Sequence, residues 1–367
     1  MRIGIDLLWV RPGICGGTES YIRNLLDGFG EYAGEDDFVL FLAEDNAESF
    51  RHYEGFENMH LKVCPVRCAN QGKRILWENR KLDKVAHQEN VDVMFIPVYS
   101  KPLTWGSKIP YVSVIHDLQA KHYPAYFSLP RRMFMKWSWW YTCKSSKEVV
   151  VLSDFGKEDL IESYPFVKNK VTTVYNPIVT IRSGMDFEQI QEKYGIERNK
   201  YFYCVSSLLP HKNLKTVLQV MQGWKGDEKL VLSGVGEQST QLEEAIKEYR
   251  LQEKLVLTGF VSDEERDCLY ENCRVFLFPS VFEGFGMPPI EAMRKGKRVV
   301  MTEKSCLKEI TRGKAVYVQA PYSVEEWEEK IMQAMTLAEE CVAFEEYELK
   351  TAVKGYLEVL YSGLSKN

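Results

Sequence analysis

The 367-residue chain has no hydrophobic stretch long enough to cross a bilayer; apolar runs such as Val93–Ile96, Val149–Leu152 and Val275–Phe278 are strand-sized. It has no cysteine framework either. Nine cysteines, an odd number, are scattered without a Cys-x-x-Cys pair or Cys/His ligand spacing. That argues against a disulfide scaffold or a zinc module and for reduced thiols in a cytoplasm. A basic excess is also missing. Lys and Arg number 47 against 52 Asp and Glu, a formal net charge of -5, so a nucleic-acid partner is not expected. Charge at Arg2 and Asp6 comes too early for a signal peptide. Neither a solenoid repeat nor a low-complexity tract is visible. What these absences leave is a soluble, intracellular protein, and its length suits two domains.

What is present is an alternation of short β-rich runs and helix-length segments, and it occurs twice. Ile3–Leu8, Phe38–Leu42, Leu61–Val63, Val93–Ile96, Val112–Ile115, Val149–Leu152 and Val171–Val174 form a first series. Amphipathic stretches such as Ser20–Phe29, Ile75–His87 and Lys157–Ser163 lie between them. Tyr201–Val205, Leu230–Ser233, Leu255–Thr258, Val275–Phe278, Val299–Met301 and Val316–Val318 form a second. Helical spacing fills its gaps at Leu214–Gln222, Gln241–Tyr249, Glu264–Glu271 and Val324–Ala334. Strands too apolar to be half-exposed, separated by helices, imply parallel sheets covered on both faces. The expected fold class is therefore α/β, with two Rossmann-like doubly wound domains facing across a cleft. The first domain is placed at 1–180 and the second at 181–343, with a linker near 176–184. A helical segment within 344–367 is expected to cross back to the first domain.

The strongest local signal is Phe278-Pro-Ser-Val-Phe-Glu283-Gly284-Phe285-Gly286-Met287-Pro288-Pro289-Ile290-Glu291-Ala292. A buried strand ends at Pro279 and a glycine loop follows. Two prolines then suit the first turn of a helix that stops before Gly296. Loop amides and the helix N-terminus would cradle an anion at a strand's carboxyl end. Glu283, and Glu291 in the helix's first turn, make sense beside it as grips for sugar hydroxyls, or simply as complements to a helix dipole. Ser206-Ser207-Leu-Leu-Pro210-His211-Lys212-Asn213 sets Lys212 at a loop-to-helix junction, placed to neutralise a diphosphate. A solvated lysine beside an Asn N-cap is the plainer alternative. Ser233-Gly234-Val-Gly236-Glu237 is a weaker glycine turn. In the first domain, Pro12-Gly13-Ile-Cys-Gly16-Gly17-Thr18-Glu19 lets a ligand approach the backbone, or is a plain turn capped by Thr18. His116-Asp117 closes another strand with a titratable pair, an arrangement more often structural than catalytic.

Together these residues resemble the signature of family 4 glycosyltransferases, retaining sugar-nucleotide enzymes with the two-Rossmann-domain architecture called GT-B. Glu283-x7-Glu291 carries the resemblance. It extends through Gly16-Gly17, His116-Asp117, Val151-Leu152-Ser153-Asp154-Phe155, Pro210-His-Lys212-Asn213, Gly234-Val-Gly236 and Thr258-Gly259-Phe260. The resemblance implies that Lys212 binds the donor diphosphate and that Glu291 holds the ribose hydroxyls. Glu283, with the amides of Gly284, Phe285, Gly286 and Met287, would grip sugar and phosphate. Gly234 would belong to the same donor site, while Gly259, Phe260 and Val261 fall where the base is contacted. Gly17 and His116 would form the first-domain wall, so that His116, Lys212 and Glu283 make the catalytic set. Ser207 stands where many members carry an Arg, which leaves more charge to Lys212, the loop amides and Arg11.

The implied activity is retaining transfer of a hexose or deoxyhexose from a GDP-mannose-like, UDP- or dTDP-sugar. The acceptor would be a glycan or a lipid-linked oligosaccharide in cell-surface polysaccharide (lipopolysaccharide) synthesis, as in mannosyl- and rhamnosyltransferases. No Asp-x-Asp occurs, so metal independence is expected, with no cofactor beyond the nucleotide-sugar donor. A sugar-nucleotide epimerase or phosphorylase of the same fold is an alternative, and Ser207 motivates a non-catalytic sugar-nucleotide-binding protein as another.

The segment 119–147 contains no Asp or Glu. It carries Lys121, Arg131, Arg132, Lys136, Lys144 and Lys147, interleaved with Tyr123, Tyr126, Phe127, Phe134, Trp137, Trp139, Trp140 and Tyr141. Such a mixture suits an interfacial helix on an anionic membrane surface, a pocket for a lipid-linked sugar, or an ordinary amphipathic helix with its aromatic side under the sheet. The expected location is cytoplasmic, peripheral on the inner leaflet.

Overall fold

Both series of apolar runs become parallel strands, and the central ones are buried on the two sheet faces alike. Strands such as Val93–Ile96, Tyr111–Ile115 and Val275–Phe278 are buried at every position, which only helices on both sides of a sheet can achieve. The computed structural model describes residues 1–104, 106–179, 184–236 and 240–365. The domain boundary expected at 180–181, the middle of the expected linker and Glu237 lie outside the described residues.

The first unit runs β1 (Arg2–Asp6), α1 (Gly17–Tyr32), β2 (Asp37–Ala43), β3 (Met59–Cys64), α2 (Gln71–Trp77), a π turn (Glu78–Leu82) and α3 (Asp83–Gln88). It continues through β4 (Val93–Ile96), β5 (Tyr111–Ile115), α4 (Gln119–His122), α5 (Leu129–Ser145), β6 (Glu148–Val151), α6 (Asp154–Ser163) and β7 (Val171–Thr173). Its seven-stranded sheet has the order β3-β2-β1-β4-β5-β6-β7. The acid-free segment is not one continuous helix. Tyr123–Ser128 interrupts it, with Pro124 opening a 3-10 turn and Pro130 sitting in the first turn of α5, where a missing N–H is tolerated.

The second unit runs α7 (Phe187–Tyr194), β8 (Tyr201–Val205), α8 (Leu214–Gly223), β9 (Lys229–Ser233), α9 (Thr240–Glu248), β10 (Leu255–Gly259) and α10 (Asp263–Asn272). It ends with β11 (Val275–Phe278), α11 (Met287–Arg294), β12 (Val299–Thr302), α12 (Leu307–Ile310), β13 (Val316–Val318) and α13 (Val324–Thr336). The strand order is β10-β9-β8-β11-β12-β13. In each sheet the chain builds outward on one side and then returns to the middle to build the other. The reversal falls between β1 and β4 and between β8 and β11, and ligands of doubly wound folds bind outside the strand ends at such a point.

The last helix, α14 (Leu349–Ser365), belongs to the first unit, which comprises Met1–Val179 and Glu345–Asn367; Thr180–Phe344 is the other. Small residues let α14 lie close. A Cβ on Gly28 of α1 would stand 2.7 Å from Val353, and one on Gly363 would stand 3.0 Å from Val112. At the centre of the contact the buried Tyr21 hydroxyl donates to that of Tyr356 at 2.7 Å. Tyr356 is fully buried and meets Phe29 and Phe95 edge-on. Tyr356→Ala should therefore lower stability by about 3–5 kcal/mol, the cost of emptying a large aromatic site. Thermal unfolding would show this as a fall of several degrees; an unchanged midpoint would mean that α14 does not dock.

Candidate functional site

At the reversal in the second sheet, β8 and β11 pair directly, Val275 opposite Phe202 and Phe276 opposite Tyr203. The loops leaving their carboxyl ends must run side by side, and backbone bonds stitch them together. The Val281 amide donates to the His211 carbonyl at 2.8 Å, and Ser280 Oγ reaches the same carbonyl at 3.3 Å. This brings Lys212 Nζ to 2.7 Å from Glu283 Oε1, although 71 positions separate them in sequence. Both side chains are largely withdrawn from solvent, at 23% and 13% exposure. Asn213, in left-handed backbone at φ 50, is a tether: its Nδ2 donates to the Pro321 carbonyl at 2.7 Å and its Oδ1 accepts from Thr216 at 2.7 Å.

The Glu283 loop is held from outside the motif. The Glu283 amide donates to Ser305 Oγ at 3.1 Å. The single S–H of Cys306 is shared between the carbonyls of Glu283, at 3.2 Å, and Phe285, at 3.1 Å. Gly286 sits at φ 96, where a Cβ would be strained and would meet Leu307 at 3.0 Å. Pro288 and Pro289 carry no N–H, so the start of α11 offers few amides and the anion cradle rests on the Gly284–Met287 loop rather than on the helix end. Glu291 was expected in the first turn of this helix. It is the fifth residue, because Gly286 takes left-handed backbone and α11 begins only at Met287. Tyr270 of α10 donates to Glu291 Oε2 at 2.9 Å, and Arg266 Nε lies 3.9 Å from the same oxygen. Burial raises the Glu291 carboxyl above its ordinary range, opposed by the Arg266 charge and the Tyr270 hydrogen bond.

The neighbouring strand ends complete the rim. Gly234 follows β9 at φ 87, and a Cβ there would stand 2.7 Å from the Ser206 carbonyl oxygen, so only glycine fits. Its amide donates to the Gly259 carbonyl at 2.8 Å. Phe260 beyond Gly259 is 79% exposed, an unusual cost for a large ring, and Val261 is half-buried. Ser207, the departure from the family pattern, has a buried hydroxyl with no hydrogen-bond partner. His211 is buried and its pKa falls to about 4 through burial, with the Lys212 charge adding to the effect.

In the first unit, the loop after β1 is folded by Glu19, which accepts from the Gly13 amide at 2.9 Å and pairs with Arg23 at 2.9 Å. The helix cap is Gly16, at φ 56, and not Thr18; α1 opens at the exposed Gly17. Arg11 is half-buried at the start of this loop. One turn along α1 from Gly17, Tyr21 stands edge-on to the His116 ring at 4.9 Å. His116 Nε2 lies 2.8 Å from the Pro97 carbonyl. A carbonyl only accepts, so Nε2 carries the proton and Nδ1 the lone pair. Burial lowers the His116 pKa to about 4, so the imidazole is neutral near pH 7. Asp117 turns away to accept the Gln119 amide at 2.8 Å.

The structure thus gathers Lys212 and Glu283 in direct contact and brings Gly17 and His116 to one edge of the first unit. Sequence reasoning did not find Arg266, Tyr270, Ser305 or Cys306. The first two are spaced i, i+4 on α10, a pattern that marks one helix face; Ser305 and Cys306 carry no local signal at all. Among the described residues no three His, Cys, Asp or Glu side chains gather as a metal site.

Residues 186–351 match the family model described as Glycosyl transferases group 1, and residues 15–182 that described as Glycosyltransferase Family 4. The O-antigen chain mannosyltransferase RfbU of Salmonella typhimurium is 26% identical over 234 residues, covering 64% of this chain and 63% of that protein. A Campylobacter jejuni enzyme, N-acetylgalactosamine-N,N'-diacetylbacillosaminyl-diphospho-undecaprenol 4-alpha-N-acetylgalactosaminyltransferase, is 32% identical over 150 residues, 40% of this chain and 38% of that one. These alignments span less than two thirds of either relative. The fold is similar to that of Anabaena HepE crystallised with UDP-glucose, at a TM-score of 0.75 and 17% identity over 99% of this chain and 100% of the other.

Because the folded pKa of His116 lies below the ordinary value of about 6.5, its protonation favours the unfolded chain. Its stabilising contribution is complete above pH 6.5 and is lost as pH falls toward 4. The His116 ring resonances should accordingly titrate near pH 4 by NMR. His116→Gln should remove on the order of 1–2 kcal/mol of the stability difference between pH 7 and pH 5. A midpoint near 6.5 would show that the ring is not desolvated.

Proposed function

Since the chain is a GT-B protein of the glycosyltransferase family 4 type, we propose that it is a retaining glycosyltransferase. It would move a hexose or deoxyhexose from a nucleotide-diphosphate sugar to a glycan or lipid-linked acceptor. The observation that carries this reading is the Lys212–Glu283 pair at the point where the strand order reverses. A cation and a carboxylate paired there suit a ligand that is a phosphate at one end and a polyol at the other. When the donor binds, Lys212 turns its charge to the diphosphate and releases Glu283 to the hydroxyls of the sugar. The orphaned hydroxyl of Ser207 fits a phosphate oxygen. Glu291, oriented by Tyr270, offers Oε1 and Oε2 to a ribose diol, and the bare ring of Phe260 beside Val261 lies where a base would stack.

The chemistry follows from charge. The bond between the anomeric carbon and the phosphate oxygen breaks with its electron pair passing to the diphosphate. Lys212 and the Gly284–Met287 loop amides stabilise that developing charge, the largest contribution a protein can make to such a step. The acceptor hydroxyl attacks from the same face and passes its proton to a leaving-group oxygen, which retains configuration without an enzymic nucleophile. A neutral His116 with a lone pair on Nδ1 suits a hydrogen bond from a sugar hydroxyl. No metal and no further cofactor are required in this scheme; the absence of Asp-x-Asp supports it.

The similarity to RfbU favours a mannose-type donor in polysaccharide synthesis, and the similarity to the Campylobacter enzyme favours an acceptor carried on a lipid diphosphate. The UDP-glucose held by HepE favours UDP as an alternative nucleotide. A thermal-shift series with GDP, UDP and dTDP should single out one stabilising nucleotide. With that donor, Lys212→Ala and Glu291→Ala should each lower turnover about 10²–10³-fold while circular dichroism shows the protein still folded. Near-normal turnover in both variants would refute the site. Conversion of the donor sugar to its epimer without acceptor would point to an epimerase instead.

A further inference from the structure

Helix α5 carries two apolar stripes, and only one of them is covered. Met135, Trp139 and Cys143 are buried against the sheet. Centred about 120° around the helix from them, Leu129 is 63% exposed, Met133 65%, Trp137 46% and Trp140 39%. At 3.6 residues per turn these four fall within an arc of about 80°. Phe134, beside that arc, is also exposed. Large side chains scattered singly over a surface need no explanation, but a contiguous stripe of them does.

The charges that α5 itself carries are all of one sign. Arg131, Arg132, Lys136 and Lys144 are exposed and α5 has no acid. Lys144 stands over the Trp140 ring at 5.0 Å and Arg131 over Phe127 at 5.2 Å. The Tyr164 hydroxyl donates to the Lys136 carbonyl at 3.2 Å, which draws the turn Pro165–Lys170 against α5. That turn adds an exposed Phe166 and an exposed Lys168. Lys121 does not extend the basic surface, because Asp159 at 2.8 Å and Glu162 at 3.6 Å already pair with it.

We infer that the exposed side of α5 docks on an anionic bilayer, with Leu129, Met133, Trp137 and Trp140 at the boundary of headgroups and acyl chains and the cations among lipid phosphates. Charge complementarity selects this occupant. A second copy of the chain would bring the same uncompensated cations face to face. The segment leaves the carboxyl end of β5 directly after His116–Asp117, so a docked α5 keeps that edge of the unit near the surface where a lipid-linked acceptor resides. The purpose rests on the proposed function; the binding itself does not.

The test uses the whole protein, without donor, in flotation with vesicles of phosphatidylcholine alone or with about 30% phosphatidylglycerol. The protein should float only with the anionic vesicles and detach at high salt, and its tryptophan emission should be quenched by brominated acyl chains. Two variants, Trp137→Glu with Trp140→Glu and Arg131→Glu with Arg132→Glu and Lys136→Glu, should each partition at least tenfold more weakly. Their nucleotide-diphosphate binding and melting temperature should match the parent. Equal binding to neutral vesicles, no binding at low salt, or variants that float like the parent would overturn the inference. So would a dimer in sedimentation velocity that the same substitutions dissociate. Nucleotide binding in solution reports on the proposed function separately, so the two readings can fail independently.

Discussion

The parallel pairing of β8 with β11 is the constraint on which the second unit's chemistry depends. Only where a doubly wound sheet reverses its strand order do two crossover loops leave adjacent strands toward opposite sides and open a space between them. Lys212 follows β8 and Glu283 follows β11, so the reversal places a cation and an anion 2.7 Å apart that no local sequence relation connects. Removing either partner would leave a charge with little access to water. Each partner is therefore held in place by the other's charge.

Around that pair, rigidity comes from side chains outside it. Cys306 pins two carbonyls of the Glu283 loop, Ser305 holds its amide and Asn213 ties the Lys212 turn to Pro321. Gly234 and Gly286 are required because a Cβ at either would strike backbone or core. The loops can thus be short and irregular and still fixed, an arrangement that lowers the ordering cost of binding. Burial works in the same sense on the titratable groups. It keeps His116 and His211 neutral and raises the carboxyl of Glu291, so that hydrogen-bonding roles are settled by environment rather than by solution pH. In the first unit it also raises the carboxyls of Asp6 and Glu78, the latter held by Arg74 at 2.6 Å.

The docking of α14 and the exposure of α5 show how differently two helices of seventeen residues can use apolar surface. Val353, Tyr356 and Leu360 on α14 are covered by α1 and the first sheet. Trp137 and Trp140 on α5 stay 46% and 39% exposed. Composition alone treats the two alike, since both are rich in large side chains. What separates them is the charge between the apolar residues, uniformly basic on α5.

Much of the architecture is legible in the chain because a strand buried on both faces can be made only from a continuous apolar run, and two series of β-rich runs containing such strands admit few arrangements. The position of Lys212, Glu283 and Glu291 beyond strand ends is legible for a related reason: glycine and proline mark where backbone leaves a strand and enters a helix. The break at Tyr123–Ser128 was hidden because helical spacing resumes on either side of it. The capping role of Gly16 was hidden because Thr18 satisfies the local rule equally well. Tyr270, Arg266, Ser305 and Cys306 were beyond reach, since their roles exist only through neighbours brought close by the sheet. The residues determined the strands, the glycine loops and an aromatic, acid-free helix; the order of strands in space decided which of those loops would meet, because hydrogen-bond pairing between strands depends on topology and not on distance along the chain.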